Sequence, residues 1–212
     1  MSLFRLNASI RVEGSHSRAL ADIVEEGWRA NHPGEDVVVR DIGLDPMPAT
    51  AWPTVVSTLG VPEDKWTDEQ RAAVALATEA ADQLLAADAF LFAVPLYNFG
   101  VSQHFKTWVD LVLTDARMRP PAELGTVGKP AVLVTVRGGN YSPGTPREGW
   151  DHATPWMRRI LEDGWQLDLT VIESQFTLVG LDPNLDQFKD LAAQIQSEAE
   201  QSARRHAKIF AL

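Results

Sequence analysis

Hydroxyl groups and a histidine are concentrated in one segment near the N-terminus, NASIRVEGSHSRAL at residues 7–20. Ser9, Ser15, His16 and Ser17 follow an apolar run and precede a helical pattern. A helix N-terminus has unpaired N–H groups and a positive dipole end, which suits a phosphate, and hydroxyls add further donors. The segment has too few glycines for a GxGxxG fingerprint and lacks a P-loop lysine. The simpler alternative is that Ser15 or Ser17 only caps the helix.

A second unusual segment follows another apolar run. Pro95 ends that run. The turn after it consists of Leu96, Tyr97, Asn98 and Phe99. Aromatic side chains at the end of a strand can form the wall of a site for a flat heterocycle, while Asn98 and backbone N–H groups bond its polar edge. The alternative is an ordinary loop with an inward Tyr97 and an Asn98 that serves as a cap.

A third segment, TVRGGNYSPG at residues 135–144, has two consecutive glycines directly after an apolar run. Gly138 and Gly139 allow the backbone to approach a ligand closely, and Asn140 and Tyr141 follow them. A tight turn would also explain the glycine pair. Three such segments, each directly after an apolar run, favour a shared site over three unrelated loops.

The elements that must position these segments alternate between strand-like and helix-like patterns. The predicted strands are Leu3–Asn7, Val37–Asp41, Ala89–Val94, Ala131–Val136 and Leu167–Gln175. The predicted helices are Ser17–Ala30, Thr67–Ala86, Val101–Thr114, Trp150–Glu162 and Asn184–Phe210. This alternation predicts an α/β fold with a parallel sheet and helices on both faces, in which ligands bind beyond the carboxyl ends of the strands. Two long intervals, Gly43–Lys65 and Arg117–Lys129, are predicted to be surface excursions that shape the mouth of a pocket.

Composition narrows the class of protein. The 212 residues, 45% of them hydrophobic, are enough for one domain over 1–212 with a substantial core. The net charge of −10 argues against a nucleic-acid partner. With no cysteine, disulfides and thiolate chemistry are excluded, and we expect a cytoplasmic protein. No segment has the roughly 20 apolar residues of a membrane span, and the five histidines show no metal-binding spacing, so we expect no membrane association and no metal.

With these segments in view, the chain resembles the FMN-dependent NADH-azoreductases, which belong to the flavodoxin-like NAD(P)H:quinone oxidoreductases. The similar motifs are SHS at 15–17, PLYNFGVSQHFKTWVD at 95–110 and RGG at 137–139, within a similarity over roughly residues 3–208. The chain departs from the family at three places. His16 replaces a frequent Gln, Asn140–Tyr141 replaces a frequent His after the glycines, and DARMRPPAELG at 115–125 replaces an aromatic-rich stretch.

The resemblance implies a flavodoxin-like three-layer sandwich with strand order 2-1-3-4-5, one bound FMN per subunit and a homodimer with sites at its interface. By position, Ser9, Ser15, His16 and Ser17 would hold the FMN phosphate, and Pro95 with Leu96–Phe99 would contact the isoalloxazine ring. The loop of Arg137, Gly138, Gly139 and Asn140 would close over the other polar edge of the ring.

The implied reaction is a two-electron ping-pong transfer of hydride from NADH or NADPH, through flavin N5, to a quinone or an azo compound. No catalytic side chain is required, although Tyr97 and Tyr141 are candidate proton donors. Two alternatives stay open at this point: a flavodoxin-type FMN electron carrier that passes electrons to partner proteins, and a flavin-binding redox sensor without turnover.

Overall fold

A five-stranded parallel sheet forms the centre of the molecule in a computed structural model that describes residues 1–119 and 123–208. Its strands are β1 (Leu3–Asn7), β2 (Val37–Asp41), β3 (Ala89–Ala93), β6 (Pro130–Val136) and β7 (Asp168–Ser174). A separate antiparallel hairpin consists of β4 (Leu96–Tyr97) and β5 (Gly100–Val101). The order in the sheet is β2-β1-β3-β6-β7, and every pairing is parallel. The predicted flavodoxin-like order 2-1-3-4-5 is therefore confirmed.

The strands take these positions because of which residues they can bury. Every residue of β1 and β3 is buried, as expected for apolar runs covered on both faces. By contrast, Val38 and Val39 of the edge strand β2 are about half exposed, at 43% and 53%. The apolar runs therefore occupy the centre of the sheet, and β2 and β7 form its edges.

Helices cover the two faces of the sheet. They are α1 (His16–Asn31), α2 (Ala51–Val56), α3 (Asp68–Ala86), α4 (Gln103–Val112), α5 (Thr154–Arg158) and α6 (Lys189–His206). On one face, Leu20 and Trp28 of α1 and Ala203 of α6 pack with Leu3 and Leu91. The opposite face holds a larger cluster, in which Phe4 and Phe92 pack with the stacked rings of Phe105 and Trp108. Alternate side chains of β1 therefore point to opposite faces of the sheet and pack into two different hydrophobic clusters.

Most helix predictions differ from the structure only at their ends. The helix predicted from Thr67 begins with a capping box, in which Thr67 Oγ1 accepts from the Gln70 N–H at 3.2 Å. The helix predicted from Val101 begins at Gln103, because Val101 pairs with Leu96 in the hairpin.

The helix predicted over 150–162 begins only at Thr154, because Asp151 accepts hydrogen bonds from the N–H groups of Ala153 and Thr154 and ends the preceding loop. It continues as a π-helix over Arg159–Gly164. The last predicted helix starts as a 3₁₀ turn over Pro183–Phe188 before α6. Its predicted end at residues 209–210, and residues 120–122 of the predicted excursion 117–129, lie outside the described residues. The interval 43–65 contains α2, which the sequence did not predict.

Gly43 holds the end of β2 against the loop that follows β1. A Cβ atom at position 43 would collide with the Ser9 carbonyl oxygen and would lie 2.6 Å from its carbon. The Gly43 N–H donates to the carbonyl of Asn7 at 3.1 Å. The close approach therefore requires glycine and fixes the backbone at Ser9.

We predict that Gly43→Ala lowers the free energy of unfolding by about 2 kcal/mol, because rigid backbone has to move to admit the methyl group. Urea unfolding measures the loss. Gly100→Ala is the matched control, since the nearest atom to a Cβ at Gly100 is 4.0 Å away, and its effect is expected to stay within about 0.5 kcal/mol. Equal stability of the two variants would contradict this close packing.

Candidate functional site

Three hydroxyls form a buried cluster where β1 leads into α1. Ser15 Oγ donates to Ser9 Oγ at 3.1 Å and lies 3.4 Å from Ser17 Oγ. Ser15 occupies the N-cap position, but its side chain makes no capping hydrogen bond, and the first turn of this 16-residue helix contains no acidic residue. The simple capping alternative therefore does not describe this segment. Buried hydroxyls and an uncapped helix N-terminus provide donors for an anion.

An ion pair behind the cluster fixes the same loop. Arg18 is paired with Asp41, the last residue of β2, and donates to the carbonyls of Ser9 and Arg11 at 2.8 and 2.9 Å. Burial by itself would raise the pKa of Asp41, but the hydrogen bond and charge of Arg18 hold that pKa below its usual value. These loop carbonyls are thus satisfied within the protein.

The predicted aromatic turn is the tip of the β4–β5 hairpin. Asn98 and Phe99 have positive φ values of 48° and 68°, as a two-residue type I′ turn requires. Half-buried Tyr97 extends from this hairpin to the first loop, where its hydroxyl lies 3.4 Å from Ser9 Oγ and accepts from the Ile10 N–H at 3.3 Å. The hairpin and the serine cluster therefore form one continuous surface.

The alternative role for Asn98 as a helix cap is not observed. Ser102 caps α4 instead, with its Oγ accepting from the Phe105 N–H at 3.2 Å. Asn98 is exposed. Its amide is available at the cleft described below.

Phe99 is held in an unfavourable backbone conformation by the loop on the other side of the cleft. A bulky residue at a φ of 68° is strained. The Phe99 ring packs edge-on against Trp150 at 5.4 Å and lies 6.4 Å from Tyr141. Its carbonyl accepts from the His152 N–H at 3.0 Å. These contacts keep an aromatic ring at the mouth of the site.

The glycine pair after β6 is closely packed against two side chains. A Cβ at Gly138 would lie 2.7 Å from Leu178 Cδ1, and one at Gly139 would collide with the Arg147 guanidinium. The carbonyls of Gly138 and Gly139 accept from the N–H groups of Leu178 and Phe176, at 3.2 and 3.3 Å. Among the described residues, no protein acceptor binds the N–H groups of the two glycines. Those N–H groups are the polar atoms that this turn can offer a ligand.

The structure does not bring Arg137 to the cleft. Its side chain, 8% exposed, forms ion pairs with Asp151 at 2.6 Å and Glu173 at 2.7 Å, and it donates to Thr154 Oγ1 at 3.2 Å. The guanidinium takes this position because carboxylates from β7 and from the start of α5 lie beside the end of β6. Arg137 therefore ties together the two ends of the loop that carries Gly138, Gly139 and Trp150.

Asp151 is the less exposed of the two carboxylates in this network, at 15% against 43% for Glu173. Burial works against its charged form, but the N–H and hydroxyl of Thr154 and the charge of Arg137 hold the pKa of Asp151 below its usual value.

Asn140 is also absent from the cleft, because its Oδ1 accepts from the Ser142 N–H at 2.9 Å and shapes the loop.

One cleft of about 350 Å³ unites the three predicted segments. It is lined by eleven of the thirteen residues predicted to bind a cofactor: Ser9, Ser15, His16, Ser17, Pro95, Leu96, Tyr97, Asn98, Phe99, Gly138 and Gly139. Tyr141, a predicted proton donor, also lines it. A volume of this size, with apolar walls and a few convergent polar groups, is typical of a small-molecule site.

Sequence reasoning missed several residues of this cleft. Thr177 and Leu178 follow the last strand, so the rule that ligands bind at the carboxyl ends of strands would have found them. Arg11 and Arg147 also line the cleft and form no ion pair among the described residues. No sequence signal distinguished them from other surface arginines.

The described residues of the two predicted surface excursions lie away from the cleft. None of the residues that line the cleft comes from 43–65 or from the described part of 117–129, so the described residues of these intervals do not shape its mouth. Within residues 1–119 and 123–208, no helix is long and apolar enough to cross a membrane. The same residues contain no group of three or more side chains placed to hold a metal ion.

Comparison with known proteins identifies the family. A family profile described as a flavodoxin-like fold matches residues 1–204. An FMN-dependent NADH:quinone oxidoreductase of Frankia casuarinae is 36% identical over 98% of this chain and 99% of its own length. The corresponding protein of Frankia alni is 36% identical over 97% of this chain and 98% of its own length. This chain belongs to the flavodoxin-like family that contains these oxidoreductases.

Solved structures of this family share the fold. The azoreductase AzrA superposes with a TM-score of 0.79 at 22% identity, covering 100% of this chain and 99% of its own. An FMN-dependent NADH-azoreductase from Bacillus anthracis, solved in complex with FMN, gives a TM-score of 0.76 at 18% identity, with coverages of 97% and 99%. At these identities, the likeness extends to the fold alone.

We predict that Arg137→Met lowers the free energy of unfolding by about 3 kcal/mol, because it leaves the carboxylate of Asp151, only 15% exposed, without its cation. Urea unfolding measures this loss. Arg158→Met is the control, since Arg158 pairs with Glu162 on an exposed helix surface, where less than about 1 kcal/mol is expected. Similar losses in the two variants would show that the Arg137 network does not support the loop.

Proposed function

We propose that this protein is an FMN-dependent oxidoreductase that uses NADH, with NADPH as the alternative donor, to reduce quinones and azo compounds. The observation that carries the proposal is the single cleft in which the serine cluster, the aromatic hairpin and the glycine turn converge. Relatives that are 36% identical over nearly their full length are FMN-dependent NADH:quinone oxidoreductases.

The chemistry of the cleft fits the parts of FMN. Ser9, Ser15, Ser17 and the N-terminus of α1 supply the donors that a phosphate needs, and His16 lies beside them. At the other end, the Leu96–Phe99 hairpin provides an apolar and aromatic wall for the isoalloxazine ring. Cofactor contacts through Arg137 and Asn140 are not part of this assignment, since their side chains serve the loop.

When bound, FMN would supply the redox chemistry, accepting hydride from the nicotinamide and passing it on to the acceptor in a ping-pong cycle. The hairpin and the glycine turn would hold the ring between them. The free N–H groups of Gly138 and Gly139 can stabilise negative charge on a polar edge of the ring.

Tyr141 is the better placed of the two candidate proton donors. The hydroxyl of Tyr97 is engaged by Ser9 and by the Ile10 N–H. Among the described residues, the hydroxyl of Tyr141 has no hydrogen-bond partner, and its ring lines the cleft. Tyr141 can therefore deliver a proton to a bound quinone without breaking the contact between the hairpin and the serine cluster.

A homodimer and a cytoplasmic location belong to the same proposal, together with the treatment of residues 1–212 as one FMN-binding domain. Exposed apolar side chains surround the cleft, among them Ile10, Val12, Phe99 and Trp150 at 61, 58, 40 and 48%. Apolar surface beside a cleft is a common feature of subunit interfaces. The cysteine-free sequence is compatible with a reducing compartment.

The proposed activity is tested by supplying FMN, NADH and a neutral quinone to the purified protein with no other protein present. We expect bleaching of the bound flavin by NADH under anaerobic conditions, reoxidation by the quinone, and parallel lines in double-reciprocal plots. Flavin binding without NADH consumption would contradict the enzyme assignment and favour the sensor. Turnover only with a protein acceptor would favour the flavodoxin-type carrier.

Asn98→Gly separates the role of the Asn98 amide from that of the turn. Glycine tolerates the φ of 48°, so the free energy of unfolding should stay unchanged, while the dissociation constant of FMN rises about five- to ten-fold through loss of one hydrogen bond. Flavin fluorescence titration and urea unfolding measure the two quantities.

Asn98→Ala is the comparison variant. It should show the same loss of FMN affinity and, in addition, a loss of about 1 kcal/mol in stability, because alanine is strained at positive φ. An unchanged FMN affinity in the glycine variant would remove the Asn98 side chain from the site.

A further inference from the structure

The hydrogen bonds around His16 determine which of its ring nitrogens carries a proton. His16 Nδ1 lies 3.2 Å from Gln196 Oε1 on α6. The amide nitrogen of Gln196 donates to Glu200 Oε1 at 3.2 Å, and Ser174 Oγ donates to Gln196 Oε1 at 3.4 Å. Because a carboxylate only accepts hydrogen bonds, the NH₂ group of Gln196 faces Glu200 and its oxygen faces His16. The Nδ1 atom of His16 is therefore the protonated nitrogen.

This arrangement restricts what His16 can offer a phosphate. A neutral imidazole has a single N–H group, so with Nδ1 protonated its Nε2 is an acceptor. The oxygens of a phosphate dianion are acceptors as well, and a neutral His16 cannot donate to them. Only the imidazolium form donates from both nitrogens. His16 lines the cleft beside Ser15 and Ser17, where the proposed function locates the phosphate.

No carboxylate forms an ion pair with the imidazole of His16 in the described part of the chain. The charged side chains that line the clefts beside His16, or reach it through α6, are those of Arg11, Arg18, Arg147, Asp22 and Glu200. Asp22 is paired with Arg5 at 2.7 Å, and Arg18 is paired with Asp41. Glu200 contacts the amide of Gln196 and not the imidazole. Within the described part of the chain, His16 forms no ion pair, so a bound phosphate would be its first anionic partner.

We propose that His16 binds the phosphate of FMN as an imidazolium. FMN binding then takes up a proton, and it weakens as the pH rises from about 6 to about 8. This inference rests on the proposed function and adds a pH dependence to cofactor retention. Its direction follows from linkage. The affinity gained from the imidazolium is complete at a pH low enough for the ring to be cationic already in the free protein. It is lost at a pH high enough for the ring to stay neutral even with FMN bound.

The test compares the dissociation constant of FMN for the unmodified protein and for His16→Gln between pH 6 and pH 8.5. Glutamine can donate from its amide at every pH, and it carries no charge. The second ionisation of the FMN phosphate, near pH 6, affects both proteins alike and cancels in the ratio of their constants. We expect the variant to bind about ten-fold more weakly at pH 6 and within about two-fold at pH 8.5.

Two further measurements isolate the phosphate and the tautomer. Riboflavin lacks the phosphate, so its affinity should not differ between the two proteins at any pH. Gln196→Met removes the acceptor at Nδ1, so a neutral His16 can donate from Nε2, and the pH dependence of FMN binding should become smaller. Calorimetry in buffers of different ionisation enthalpy should detect more proton uptake at pH 7 in the unmodified protein than in His16→Gln.

A constant ratio of dissociation constants across this pH range would overturn the inference, and so would equal proton uptake by the two proteins. The proposed function would survive either result if FMN were bound and reduced by NADH. Failure of the unmodified protein to bind FMN at any pH would overturn both proposals. Circular dichroism of each variant over the same pH range verifies that folding is unchanged.

Discussion

The parallel pairing of β1, β3 and β6 is the constraint on which the site depends. Almost every residue of these three strands is buried, so they occupy the centre of the sheet, and their carboxyl ends meet at one edge. The chain turns in opposite directions after β1 and β3, which leaves a crevice between the loops that follow them. The serine cluster, the hairpin and the glycine turn all lie at this edge. Without that register, none of the three segments would reach another.

The charged groups near the cleft mostly hold its walls. Arg18 with Asp41 satisfies the carbonyls of the first loop, and Arg137 with Asp151 joins the two ends of the loop opposite the hairpin. Hydroxyls, backbone N–H groups, aromatic rings and the side chains of Arg11, His16 and Arg147 are left for the ligand. Such a division suits a reaction in which the cofactor carries the chemistry and the protein supplies position and electrostatics. The strained φ of Phe99 fits this picture, because the loop across the cleft keeps its ring in place.

The apolar runs of the sequence predicted the parallel sheet and most of the cleft for a physical reason, whereas the strand order was implied by the resemblance to the azoreductase family. Continuous apolar runs such as Ala89–Val94 identify buried strands, and ligand-binding loops follow their carboxyl ends. The direction of individual side chains was beyond sequence reasoning. Arg137 turns toward Asp151 and Glu173 because of neighbours that are distant in the sequence. The hairpin was also missed, since two-residue strands leave no periodic signal and its turn uses Asn98–Phe99 where Asn–Gly is the usual pair.

The central claim is that the three rim segments form one FMN site, with the phosphate at α1 and the ring at the hairpin. A crystal structure of the protein with FMN tests this most directly. The account predicts phosphate oxygens within hydrogen-bond distance of Ser9, Ser15 and Ser17, with the isoalloxazine against Leu96–Phe99. Electron density for FMN in another place, or with the ring at the serine cluster, would contradict it.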